Sequence, residues 1–428
     1  MNFKKDLPLT SSHWGTYRAK VKDGKVKELI GWENDKDPSP IGQGIVDVHN
    51  HQTRIDSPMI RKSWMDKGPG SKNNLRGTDP FISISWDEAE KIVSNELNRV
   101  KNKFGNASIF GGSYGWASAG RFHHAQSQLH RFLNCIGGYT RSKFTYSFAA
   151  AEAMVPHILG SYRAYLDTCT SWESIEENTE LFICFGGVPL KNGQIAQGGT
   201  GSHKQKEKLI RSANAGIKFV NFSPLKSDLL DEVNGEWLAL RPNTDVAIML
   251  GLAHTLYKEK LYDDKFIEKY TEGFDTFLPY LQGDIDGIVK DANWASSISE
   301  IPSEKIISLA KEMSSKRTMI SVSWSLTRQD HGEQPFWAAI MLASMVGQIG
   351  LPGGGFGFGY SATNHIGGQF SIIPGAAFPQ TQNKIEDFIP VARISDLLLN
   401  PGGSFDFDGK EYKSVSYTHL RAHETRFY

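Results

Sequence analysis

The sequence predicts an α/β chain of more than one domain, with a parallel sheet covered by helices on both faces and a small β-rich piece at the start. Three observations carry this. From about Leu181 onward, strand-like runs that end in glycine alternate with helix-periodic runs, the pattern of successive βαβ units. The 428 residues, 39% of them hydrophobic, exceed what one ordinary core holds. The 42 glycines gather after strand-like runs, where close approach of the backbone to a bulky ligand needs them.

Up to about Asp56 the chain reads as short strands and turns, with alternation in TYRAKVKDGKVKELIGW, so 1–56 is expected to form the β-rich piece. Ser85, Trp86, Asp87 and Glu88 make a capping box that opens a helix running to about Val100. A strand over Ala107 to Phe110 and a helix from about Arg121 follow, so 57–165, joined by about 360–413, reads as one α/β domain. The third, 166–359, strings together LFICFGG, HKQKEKLIRSANAG, IKFVNFSP, DVAIMLGLAHTLYKEK, TMISVSWS and EQPFWAAIMLASMVG. A dinucleotide is expected outside the carboxyl ends of such strands, its phosphates near helix N-termini. Gly186, Gly187, Ser223 and Ser323 stand at those ends.

Composition excludes several classes. Lys plus Arg number 47 and Asp plus Glu number 47, so no net field draws nucleic acid or an anionic membrane. The start, MNFKKDLPLTSSHWG, lacks a secretory apolar core and a twin arginine, and no apolar run is long enough to span a bilayer. As written the protein is expected in the cytoplasm, or in the periplasm if an upstream export signal is missing. Three widely spaced cysteines, Cys135, Cys169 and Cys184, indicate neither a disulfide framework nor a structural zinc site. His49, Asn50 and His51, and His123 with His124, lack metal-ligand spacing, and Gly353 to Gly355 lack the Lys and Ser of a P-loop.

The most informative stretch is GGSYGWASAGRFHHAQSQLHRFLNCIGGYTRSKFTYSF, Gly111 to Phe148. Tyr114 and Trp116, a phenol and an indole two residues apart on a glycine-rich turn, can aim an O–H and an N–H into one cavity. The hydroxyl of Ser147 can complete a metal's coordination sphere. On pattern alone, the aromatic pair is more often packing, and a serine before an apolar helical run such as FAAAEAMV is more often a cap.

HWG at His13 to Gly15, RKSW at Arg61 to Trp64, SWDEA at Ser85 to Ala89 and GGSYGW at Gly111 to Trp116 belong to one series. It continues with GGY…YS from Gly137 to Ser147, NTDVAIMLGLAHTLY at Asn243 to Tyr257, HGEQPFW at His331 to Trp337 and MVGQIGLPGGGFGFGY at Met345 to Tyr360. In this order the series resembles the dimethyl sulfoxide reductase family of bis(molybdopterin guanine dinucleotide) molybdenum enzymes, which includes trimethylamine N-oxide and biotin sulfoxide reductases. The resemblance implies a multidomain molybdopterin oxidoreductase fold with Rossmann-like sheets and the metal site in the 57–165 domain. It implies that Ser147 is the metal's protein oxygen ligand, and that Tyr114 and Trp116 donate hydrogen bonds to the metal oxo group or the substrate oxygen. Asp245 would read guanine at two points. Trp116, Pro189, Lys191, Gln194, Ser223 and Lys226 would line the cofactor, and Ser325, Arg328, His331 and Gln334 would close over it.

The chain departs from the family in two places. The ligand segment, usually close to D-Y-S-T-G-A, is Thr145, Tyr146, Ser147, Phe148, Ala149 here, and Ser223 stands where an Asp is usual. Other readings stay open: helix starts such as Asp245 are commonly acidic for dipole reasons, Arg328 reads equally as a surface cation, and His331 as a cap. Many molybdenum enzymes carry an N-terminal cysteine cluster for an iron–sulfur centre; nothing before Cys135 supplies one, so electrons are expected from an external donor protein or small reductant. The tail 416–428, SYTHLRAHETRFY, leaves the family's continuation and is expected to be non-native. The implied activity is removal of oxygen from S-oxides or N-oxides by transfer to reduced molybdenum, with Tyr114 pointing to the sulfoxide-reducing branches. The alternatives are a truncated fragment that binds guanine dinucleotide without chemistry and a nucleotide-linked dehydrogenase. For the latter, no G-x-G-x-x-G lies between a strand and a helix with an acidic residue at the proper distance.

Overall fold

The computed structural model describes residues 6–49, 51–69, 71, 77–112, 124–196, 201–368, 378–400 and 402–413; the expected tail 416–428 lies outside them. The chain divides into two compact units, one of residues 1–20, 30–39 and 146–373, the other of 21–29, 40–145 and 374–428.

The larger unit is built on five parallel strands, labelled in chain order β1 (Leu181–Phe185), β2 (Lys218–Phe222), β3 (Glu236–Leu238), β4 (Thr318–Val322) and β5 (Gly355–Phe358). Their order across the sheet is β3-β2-β1-β4-β5. Every residue of β1 and of β4 is buried, as a parallel sheet with both faces covered requires. The helices Gln205–Asn214, Asp245–Lys258, Ser303–Ser315 and Gln334–Met345 intervene between strands. The order reverses between β1 and β4, so the loops that leave their carboxyl ends diverge and open a crevice. Gly186 and Gly187, which follow β1, take φ of +79° and +76°. A Cβ on Gly186 would lie 2.9 Å from the Ser323 Cβ, and one on Gly187 would lie 2.5 Å from the Asp228 backbone oxygen. Only glycine combines that backbone with that closeness.

Strands Leu9–Ser12, Gly15–Lys22 and Lys25–Gly31 form a three-stranded sheet whose first pair is antiparallel. The expected class is thus met: a parallel α/β sheet with a small antiparallel β piece at the start. Within the larger unit, a buried ion pair ties the segment after that sheet to the loops beyond β1. Asp35 Oδ2 lies 2.6 Å from His203 Nδ1, and Asp35 Oδ1 accepts the His203 backbone N–H at 2.9 Å. The His203 Nε2 is 2.7 Å from the Gln194 carbonyl oxygen.

In the smaller unit the helix Trp86–Phe104 begins where the capping box predicts, the Ser85 hydroxyl accepting from the Glu88 N–H at 3.2 Å. It runs four residues beyond Val100 and stops at Gly105, φ +82°. The strand expected from Ala107 to Phe110 is shorter than the alternation suggests. Asn106–Ser108 forms a 3₁₀ turn, with the Ser108 hydroxyl donating to Gly105 O at 2.6 Å, and the paired strand is Phe110–Gly111. That strand joins Thr140–Lys143 and Phe388–Pro390 in a parallel three-stranded sheet. Asn383 holds the late strand's approach, accepting from the Tyr139 N–H at 3.1 Å and donating to the Tyr139 carbonyl at 2.8 Å. Among the described residues no helix is long and apolar enough to cross a membrane.

Burial alone would lower the His203 pKa and raise that of Asp35, but their mutual hydrogen bond and charge win in both: His203 is raised and Asp35 lowered. The carboxylate's contribution is present above the ordinary Asp value and lost as pH falls through its depressed folded value. The imidazolium's is present below the ordinary His value and lost as pH rises through its raised one. Asp35→Asn is therefore expected to destabilise by about 3 kcal/mol, with the largest drop in melting temperature between about pH 4 and 6.5. Thermal melts of both proteins from pH 4 to 9 check this.

Candidate active site at the strand-order reversal

The turn after β4 gathers the residues of interest in the larger unit. Ser323 caps a 3₁₀ helix, Trp324–Arg328, its hydroxyl accepting from the Ser325 N–H at 3.3 Å. From this helix the Thr327 hydroxyl and the Arg328 Nε both face the Ser147 carbonyl, at 3.2 and 3.1 Å. Phe148 packs on Trp324, its ring tilted by 32° with centroids 4.3 Å apart, and stacks on Tyr162 at 5.9 Å. One residue past the turn, the Gln329 side chain hydrogen-bonds the Asp245 carboxylate at the start of the helix Asp245–Lys258. Ser147, Ser325, Arg328 and Asp245 therefore converge on one turn, although they span 181 sequence positions.

The N-cap position expected for Ser147 is held instead by Phe148, which begins the helix Ala149–Leu159. Asp245 is 2% exposed, and burial pushes its carboxyl up to about 6, outweighing the N–H of its own backbone and Gln329, which lower it. A helix dipole favours an anion there by about 0.3–1 kcal/mol, less than the desolvation it faces.

The other expected cofactor residues divide into four groups. Lys191 and Ser223 meet on one carboxylate: Asp228 accepts from Lys191 Nζ at 3.2 Å and from the Ser223 hydroxyl at 2.7 Å. Where the family's usual Asp is replaced by Ser223, a carboxylate thus arrives from Asp228, which sequence reading missed. Pro189 is buried and precedes the helical turn Leu190–Gly193; Gln194 follows it, its side chain accepting from the Ser39 hydroxyl at 3.3 Å. Lys226 instead lines a cavity of about 100 Å³ with Asn221, Asp231, Asn234 and Trp237. Asn221 is fully buried, and neither polar atom of its side chain has a protein partner; an Asn inside the apolar run IKFVNF was the signal for it. His331 stands apart, its side chain 76% exposed beside Asp330 and Glu333, and Gln334 opens the helix Gln334–Met345, its Nε2 donating to Glu333 at 3.3 Å. Tyr114, Trp116 and the decoys Asn50 and His123 lie outside the described residues. The three cysteines are free thiols, and Cys184, within β1, is held neutral by burial.

Because the folded-state pKa of Asp245 is raised, the fold favours its neutral form. Its contribution to stability falls as pH rises from about 4 through 6 and is level above that. Asp245→Asn is accordingly expected to raise the melting temperature at pH 7.5, by the equivalent of roughly 2–3 kcal/mol, and to leave it unchanged near pH 4.

A model of the molybdopterin oxidoreductases matches residues 54–405, and a model of their N-terminal domain matches 10–48. A biotin sulfoxide reductase from Cereibacter sphaeroides is 43% identical over 88% of this chain and 51% of its own. A dimethyl sulfoxide/trimethylamine N-oxide reductase from Rhodobacter capsulatus is 40% identical over 95% of this chain and 50% of its own. A trimethylamine-N-oxide reductase from Haemophilus influenzae is 37% identical, with shares of 97% and 51%. The chain thus spans about half the length of the curated relatives it matches. Among solved structures, acetylene hydratase from Pelobacter acetylenicus superposes with a TM-score of 0.50 at 21% identity, over 78% of this chain and 42% of that one, which bears on fold alone. With its βαβ sheet, the strand-order reversal and a family match over most of its length, the chain belongs to the molybdopterin oxidoreductase family.

Proposed function

We propose that this chain forms the part of a molybdenum-dependent reductase that receives S-oxides or N-oxides and removes their oxygen. The observation that carries the reading is the convergence of Ser147, Ser325, Arg328 and Asp245 on the turn after β4, at the crevice where a dinucleotide-bearing cofactor belongs. Family membership implies a molybdenum–molybdopterin cofactor; the guanine dinucleotide form, in two copies and without an iron–sulfur cluster, is part of the proposal. When bound, that cofactor supplies the two-electron redox centre that no side chain offers.

The residues present suit such a group. The left-handed pair Gly186 and Gly187 brings backbone close to the crevice, and hydroxyls and cations at the strand ends suit phosphates.

In this reading Ser147 Oγ is that oxygen. Arg328 and Lys191 bring positive charge to the phosphates, and Pro189, Gln194, Ser223 and Lys226 line the pterin and diphosphate. Ser325, His331 and Gln334 close over them. The Asp245 carboxylate, costly to ionise in its buried setting, accepts from the guanine ring N–H and amino group. Those donors favour the charged form that burial opposes. Tyr114 O–H and Trp116 N–H donate to the substrate oxygen and stabilise the charge that grows on it as the S–O or N–O bond breaks. Electrons come from a separate donor protein or small reductant.

Metal analysis of protein made with cofactor supply is expected to find molybdenum, and none found would overturn the proposal. Ser147→Ala should lower sulfoxide turnover on the order of 100-fold; unchanged turnover removes its assigned role. Against a panel of both oxide classes, sulfoxides should be the better substrates, and Tyr114→Phe should narrow the difference.

A further inference from the structure

The loop that carries Ser147 leads into the helix Ala149–Leu159, whose N-cap residue is Phe148, at φ −162° and ψ 11°. A phenylalanine side chain cannot accept from the first amides of the helix. Part of what holds the loop comes from the far side of the sequence. The Ser147 carbonyl faces two donors, Thr327 Oγ1 at 3.2 Å and Arg328 Nε at 3.1 Å. The Thr327 hydroxyl also lies 2.8 Å from the Trp324 carbonyl, so its single proton is shared between the two oxygens. The turn bearing both donors is itself seated on the strand-order reversal, where a Cβ on Gly186 would strike Ser323 and Leu326 at 2.9 and 3.2 Å. The Phe148 ring, pressed on Trp324, closes the contact from the other side.

We infer that Thr327 and Arg328 are positioning residues for Ser147: by gripping its carbonyl they set the direction of its hydroxyl, so that the ligand and the crevice are oriented by the same turn. This rests on the reading of Ser147 as the metal's oxygen ligand. The grip acts through geometry more than through charge, because Arg328 is exposed and its field is screened by solvent. A carbonyl released from two donors lets the peptide rotate and carries Oγ with it, and a displacement of about 1 Å in a reacting constellation can cost on the order of 100-fold in rate.

The test uses cofactor-loaded protein and the Mo(V) electron paramagnetic resonance signal, read together with molybdenum content, melting temperature and turnover. Thr327→Val removes the hydroxyl with little change of shape, Arg328→Met removes the guanidinium but keeps a long stem, and Thr327→Ser restores the donor. Thr327→Val and the double variant are expected to shift the signal away from wild type, toward that of Ser147→Ala, at unchanged molybdenum content, with turnover lowered roughly 10- to 100-fold. Thr327→Ser should return the wild-type signal, which a loss of packing alone would not explain. If Ser147→Ala alters the signal while Thr327→Val and the double variant leave it as in wild type, the positioning role is wrong and the ligand reading stands. If Ser147→Ala leaves the signal unchanged, the ligand reading itself fails. Should Arg328→Met lose the cofactor, Thr327→Val alone decides.

Discussion

Five successive residues hold β4 against β1, from Thr318 opposite Leu181 to Val322 opposite Phe185, and both strands are buried along their whole length. β2 and β3 extend from β1 on one side and β5 from β4 on the other, so the chain must leave these two central strands in opposite directions. The crevice is a consequence of that connectivity, not of any one side chain. What lines it is set by which loops can approach the strand ends, and at Gly186 and Gly187 approach is permitted only where no Cβ intervenes.

From this constraint follows the role of the turn Trp324–Arg328. It inherits its place from β4 and offers two donors to the Ser147 loop, while Gln329, the residue that follows it, meets the start of the helix Asp245–Lys258. Hydrogen bonds of this kind are worth about 1 kcal/mol each, too little to define the arrangement alone. The packed rings of Phe148, Trp324 and Tyr162, with Phe358 5.4 Å from Tyr162, supply the packing beneath them. Among the described residues the Trp324 Nε1 and the Tyr162 hydroxyl are buried without a protein partner.

Much of the fold was legible because it rests on local pattern. LFICF, IKFVNF and TMISV announce buried parallel strands by being apolar at every step, and Ser85 with Glu88 announces a helix start through short-range hydrogen bonding. The strand from Ala107 starts later than expected because a residue 32 positions from Asn106, Gly138, takes the Asn106 side chain and stabilises a turn that the local sequence does not favour. In the site, Asp245 was visible as an acidic helix start, but its burial was not: exposure depends on which distant segments pack over it, and its hydrogen-bond partner, Gln329, is 84 positions away. Asp228 escaped notice for a similar reason, since nothing in its own neighbourhood shows that Ser223 and Lys191 both turn toward it.

By itself the sequence determined the α/β class, the order of the βαβ units and, through a series of segments from His13 to Tyr360, the family. Periodicity, glycine turns and motif order are properties of neighbours along the chain, and they survive without any knowledge of contacts. Only the tertiary structure decided that Phe148 rather than Ser147 stands at the helix N-cap, that the Ser147 carbonyl is met by Thr327 and Arg328, and that Asp35 and His203 join segments 168 residues apart. Those outcomes depend on which distant groups the sheet brings within 3 Å or so of one another, and no local pattern encodes that distance.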